Sequence, residues 1–153
     1  MKLKSNRGVT LTSLIIYIIG LVIVIALMAN LSGYFFKNLS NVTMKQSVEE
    51  QYSSFLSYIT KDANSNNLIN VQSSLEGKDC IIFQFDDETE HQYIVQDENL
   101  YFISIEGANE KKIVLCENVS TSGNNVFTYA DSKIDINFNI CKINFSARLN
   151  VKI

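Results

Sequence analysis

Few residues in this chain could make or break bonds. The densest group is the run "DDETEH", which places Asp86, Asp87, Glu88, Glu90 and His91 side by side. Clustered carboxylates suit a hard cation such as Ca²⁺, but the glycine-punctuated spacing of an EF-hand loop is absent, and a solvated hairpin loop explains the run. His91 is the single histidine. Acid–base or nucleophilic work would need an activated serine or cysteine held against it. No glycine-flanked nucleophile turn supplies one, so His91 reads as an ordinary strand-edge residue. The three cysteines, Cys80, Cys116 and Cys141, lie far apart and lack CxxC spacing, which argues against zinc. One disulfide is open to them outside the cell; buried thiols are the preferred reading. Gly77, Gly107 and Gly123 are isolated, so no phosphate-cradling loop exists. The sequence therefore predicts no enzyme, no metal site and no cofactor.

Charge is distributed unevenly along the chain. Lys2, Lys4 and Arg7 come first, and no acidic residue appears before Glu49. From residue 37 onward 16 acidic residues face ten basic ones, a net of −6. Phosphate contacts need a basic face, so the bulk of the chain is not expected to bind nucleic acid. The many Tyr and Phe residues, among them Tyr93, Tyr101, Phe102, Phe127 and Phe138, have no basic groove in sequence beside them and are read as core.

Those side chains must be carried by a β-rich segment. "NSNNLINVQSSLEGKD" (64–79) is polar and rich in turn formers and reads as a loop. Strand-like runs follow at Cys80–Phe85, Gln92–Gln96, Leu100–Ile105, Lys112–Cys116, Val126–Tyr129, Ile134–Ile140 and Ile143–Val151. Short polar connections between them suggest an antiparallel meander. Ile134, Ile136, Phe138 and Ile140 alternate with polar residues, as do Ile143, Phe145, Ala147, Leu149 and Val151 with the opposite parity. That flip requires a turn or a bulge at Cys141–Lys142, and Cys-Lys is poor turn chemistry.

Each alternating strand leaves a dry face to be covered. The cover is a helix: Val48, Tyr52, Phe55 and Ile59, with Leu56 alongside, recur at helical spacing. With no Gly or Pro between 34 and 62, this helix should run back without a break to about Thr10. Its first part is of another kind. From Val9 to Phe36 there is no charged side chain, and Leu14 to Ala29 is interrupted only by Tyr17 and Gly20. A bilayer core needs roughly 20 apolar residues as helix, and the basic flank before Gly8 suits a cytoplasmic side. The apolar stretch is too long for a secretory signal and no small-x-small cleavage site follows it. The chain thus divides into a basic stretch 1–8, an apolar membrane helix 9–36, its amphipathic continuation 37–63 and a β-rich head 64–153. The fold class is α+β, a long N-terminal helix packed on an antiparallel sheet. Gly8, on the line between charge and oil, offers the unhindered residue that a peptidase at the cytoplasmic face would need before a scissile bond.

"KSNRGVTLTSLIIYIIGLVIVIAL" resembles the N-terminus of type IV prepilins and the related pseudopilins. The resemblance implies cleavage after Gly8 by a prepilin peptidase and methylation of the new N-terminal Val9, where the family more often has an aromatic residue. Thr10 and Leu11 match the family pattern. Ser13 departs from it: the family usually has glutamate there, thought to neutralise the N-terminal amine of a neighbouring subunit. Serine cannot neutralise an amine, and a buried unpaired charge is costly. Some tip components lack the acid, so the departure favours a minor, tip-located pilin. The kink-forming proline of major pilins is also absent; Asn30, Ser32 and Gly33 stand where the helix could melt instead.

The resemblance implies a single-pass membrane protein with its basic leader in the cytoplasm and its head outside, later transferred into a cell-surface filament. Its partners would be the prepilin peptidase, membrane lipid before assembly, and other pilins or pseudopilins through the N-terminal helix. A pseudopilin of a type II secretion or competence DNA-uptake system, or a plain membrane-anchored binding module, has the same architecture.

Overall fold

The computed structural model describes residues 11–73, 79–121 and 125–152. Among the described residues a single helix, α1 (Leu11–Ala63), precedes nine strands. It passes through Asn30–Gly33 unbroken. The Asn30 side-chain amide donates to the Ala26 carbonyl at 3.0 Å, which satisfies the polar group within the helix.

Contacts divide the chain into two units, residues 1–44 and 45–153. In the first, every described side chain is exposed. The second is an α+β head in which the C-terminal part of α1 packs with two antiparallel sheets. One sheet is a meander of β1 (Leu68–Ser73), β2 (Cys80–Phe85), β3 (Thr89–Gln96), β4 (Asn99–Glu106) and β5 (Asn109–Glu117) in chain order. The other is centred on β8 (Lys133–Ile140). One of its edges is shared by β6 (Val119–Ser120) and β7 (Phe127–Ala130), which pair with opposite ends of β8, and β9 (Ile143–Asn150) takes the other edge.

The stripe on α1 is the buried one: Val48, Phe55, Ile59 and Ala63 are closed off, with Tyr52 and Leu56 packed against them. Phe55 is where the two sheets meet. Its ring centroid lies 6.0 Å from that of Tyr93 on β3, 5.5 Å from Phe138 on β8 and 6.3 Å from Phe127 on β7. Burying a ring of this size against three others contributes several kcal/mol, of the order of 3–5 as measured by truncation.

Three features differ from the sequence expectations, and one open alternative is decided. The segment 64–79 is not all loop: β1 occupies Leu68–Ser73, with Leu68 and Val71 buried against β2 and Ile69 pushed out at a bulge. Its two inward residues are three apart because of that bulge, so strict alternation is missing from the sequence. A single meander becomes two sheets, because Asn118 adopts positive φ (55°) and redirects the chain after β5 into β6. Of the two alternatives at Cys141–Lys142 the turn is realised, with both φ angles positive (49° and 69°) and Ile140 paired with Ile143. The same left-handed geometry recurs at Asp97–Glu98 and Asp131–Ser132, so three tight hairpins are closed without glycine. His91, finally, stands inside the first sheet, between β2 and β4, rather than at a strand edge.

Candidate functional site

The first candidate is the apolar half of α1. Gly8, Val9 and Thr10 lie outside the described residues. Leu11 is 74% exposed, Ser13 is exposed, and the first turn carries no acid. The large apolar side chains from Leu14 to Phe36, among them Ile16, Tyr17, Ile25, Met28 and Tyr34, are 45% exposed or more. This is one helix long and apolar enough to cross a membrane. In water such a surface would associate or aggregate; in hydrocarbon it is the solvated state, because helix interiors satisfy their own backbone groups. Gly20 and Gly33 have nothing within 4 Å of where a Cβ would stand. Glycine in a helix interior costs about 1 kcal/mol against alanine, and no contact among the described residues requires it there. Close approach of another helix is the usual use of small residues in such segments.

The second candidate is a polar group inside the head. Asp62, in the last turn of α1, is the one buried charged residue among the described ones, at 7% exposure. Its position is three after Ile59, so the helix directs it into the same face as the apolar stripe. Two residues of β3 meet it there. His91 and Tyr93 are two apart and therefore share one face of the strand. The Tyr93 hydroxyl donates to Asp62 Oδ2 at 2.6 Å, and His91 Nδ1 lies 2.9 Å from the same oxygen. Burial raises the pKa of Tyr93 far above the usual phenol value, and the Asp62 charge raises it further. The phenol therefore remains a donor. The His91 ring is held edge-on between Phe85 and Phe102, with centroids 4.9 Å from each. Every buried polar side-chain atom among the described residues is paired.

A catalytic reading of the Asp62–His91 pair would require a nucleophile on the imidazole. Ser104 faces His91 across the β3–β4 ladder, but among the described residues no hydroxyl or thiol is hydrogen-bonded to the ring. The pair joins the end of the helix to the sheet. Around it, the helix end is fastened by the Lys152 N–H, which donates to the Ala63 carbonyl at 3.2 Å, and by Asn64, whose side chain donates to the Thr60 carbonyl at 2.9 Å.

The acidic run splits between turn and strand. Asp87 accepts from the Thr89 N–H at 3.0 Å, and hydrogen bonds from Thr89 lower its pKa. Glu88 has positive φ (62°) in the turn, and Glu90 accepts from Gln92. Among the described residues no three metal-ligating side chains come together. The cysteines remain thiols. Cys80 and Cys116 are buried and Cys141 is half-buried in its turn; burial pushes the Cys116 thiol up to about 12. Tyr93, Phe102, Phe127 and Phe138 are buried in the core as their alternation predicts, and Tyr101 is half-buried under the Lys112 ammonium, 3.8 Å from its ring centre.

No protein-family model, curated protein or solved structure matches the chain.

Proposed function

We propose that this protein is a structural subunit of a type IV pilus or related filament, a minor pilin-like component acting in the tip or initiation complex. The observation that carries the reading is the apolar half of α1. Its described side chains are apolar and exposed, and it continues the prepilin-like segment around Gly8. In this account the helix is stored in the bilayer, cut after Gly8 on the cytoplasmic side, methylated at Val9, and then moved from lipid into a bundle of similar helices. Transfer of this kind needs little net driving force, because lipid tails and neighbouring apolar helices are comparable environments; packing at small residues such as Gly20 and Gly33 supplies the preference.

Ser13 fits a subunit with no neighbour above it. Ordinary subunits would need a carboxylate at that depth to meet an incoming amine. A hydroxyl accepts a hydrogen bond but leaves the charge uncompensated, which is tolerable only where no amine arrives. The head needs no chemistry in this role. Its stability and surface position whatever contacts the tip makes.

The test is substitution of Gly8 in cells that carry the assembly system. Gly8→Leu should block processing and leave an unprocessed membrane species, and sibling subunits should no longer co-isolate with it. An unchanged mature mass for Gly8→Leu and wild type, with the same co-isolating proteins, would defeat the reading.

A further inference from the structure

The head also contains a cavity that the filament reading leaves unused. A space of about 420 Å³ opens between the last turns of α1 and strands β3–β5. This lies within the usual range for small-molecule sites, which are concave and carry a few convergent polar groups. One wall is aromatic: Tyr58, 39% exposed, lies with its ring centroid 5.1 Å from that of Phe102. Ser57 and Ser104 present hydroxyls. Lys61 and Lys111 reach the cavity from α1 and β5. Among the described residues neither ammonium has an ion-pair partner. Lys112, next in sequence, is instead engaged with Tyr101.

The charges decide what would enter. Asp62 lines the cavity, but its charged oxygen already receives Tyr93 and His91. Asp62 and Glu106 offset Lys61 and Lys111 in formal charge, so the wall sums to neutral, with two ammoniums that pair with no carboxylate among the described residues. A smaller cleft of about 270 Å³ shares Lys61, Asp62, His91 and Glu106 but adds Asp87, so its balance is acidic and it repels anions. An anion is therefore directed to the Lys111 side of His91.

We propose that this cavity binds a small ring-shaped organic anion, of the size of one sugar and bearing a carboxylate or a phosphate. The charged group lies between Lys61 and Lys111, and the ring lies on Tyr58 and Phe102. The buried Asp62–His91–Tyr93 group fixes the floor. Charge-assisted hydrogen bonds to the lysines supply orientation, and the aromatic face supplies contact area.

The single histidine provides the assay, because its ring gives one isolated signal in nitrogen-detected NMR of the full chain in detergent micelles. Glucuronate and glucose 6-phosphate should each shift that signal saturably, and their relative affinities separate carboxylate from phosphate sources. Neutral glucose should not shift it. Lys61→Gln and Lys111→Gln should each weaken binding about tenfold, the effect of losing one contact to a charged group, with head amide spectra unchanged. Lys112→Gln should leave binding as it is. The proposal is overturned if neither anion shifts the signal up to roughly 20 mM, a concentration that detects even the weakest specific binding. It is equally overturned if glucose shifts the signal as much, if inorganic phosphate binds as tightly as the sugar phosphate, or if both lysine variants keep wild-type affinity.

Discussion

One helix is built to two specifications. From Leu11 to Met44 its side chains are open on all sides, and apolar residues are spread around the whole circumference. From Val48 to Ala63 only one stripe is apolar, and that stripe is shut by two sheets. The backbone hydrogen bonding is the same in both. What differs is the solvent each was composed for. The β-branched runs "LII", "YII" and "LVIVIA" would be weak helix formers in water, yet they suit a medium in which any non-helical backbone is ruled out. The second half obtains its helix from packing, as amphipathic helices in water generally do.

That contrast can be broken first at its aromatic residues. Phe55→Ala should destabilise the head by about 3–5 kcal/mol, because a fully enclosed ring is lost from the junction of both sheets. Phe35→Ala, in the open half, should leave the head's denaturation midpoint within about 0.5 kcal/mol. Equal effects in chemical denaturation of the micelle-embedded chain would show that the two halves are not separate in kind. The converse substitution is Ile23→Lys, which should cost about 2.5–3.5 kcal/mol in membrane insertion, measured with an insertion reporter, and nothing in head stability.

In the enclosed half the polar group is the next place to probe. Asp62→Asn removes the charge that Tyr93 and His91 converge upon, and should cost about 1–3 kcal/mol. The folded-state pKa values of Tyr93 and Cys116 are raised by burial. A group whose pKa is raised on folding contributes its stability below its unfolded value, near 8.5 for a thiol and 10 for a phenol, and loses it as pH climbs toward the folded one. Head stability should thus hold at neutral pH and fall from about pH 9 upward. Tyr93→Phe should flatten the part of that fall above about pH 10. The smallest effect is expected at the glycine-free turns. Lys142 sits at φ 69°, where a side chain is strained, so Lys142→Gly should raise the thermal midpoint, by about 1 kcal/mol in stability.

Much of this architecture was legible in the residues. The long helix, the stripe Val48–Tyr52–Phe55–Ile59 and the alternation in β8 and β9 each follow a period fixed by backbone geometry, and the structure keeps them. β1 was hidden because a bulge spoils its alternation, and β6 because two residues carry no period at all. The parity flip marks Cys141–Lys142 as a turn or a bulge, and the choice between them is not legible because tight hairpin geometry overrides local residue preference once β8 and β9 pair. The Asp62–His91–Tyr93 group was missed for a different reason. In sequence His91 stands among the acids of "DDETEH", while its partner lies 29 residues earlier. One signal was present: the buried stripe, stepped three residues past Ile59, lands on a carboxylate. A charge on the dry face of a helix demands partners, and the only histidine and a tyrosine on one strand face were available to provide them.

The prepilin-like segment around Gly8 and Val9 decides between a filament subunit and a plain anchor. The most direct test is the intact mass of the polypeptide recovered from cells that express the assembly system. A filament subunit of this kind should be recovered as a chain that starts at Val9 and carries one added methyl group on its amine. A recovered chain that retains residues 1–8 and an unmodified Val9 would contradict that reading.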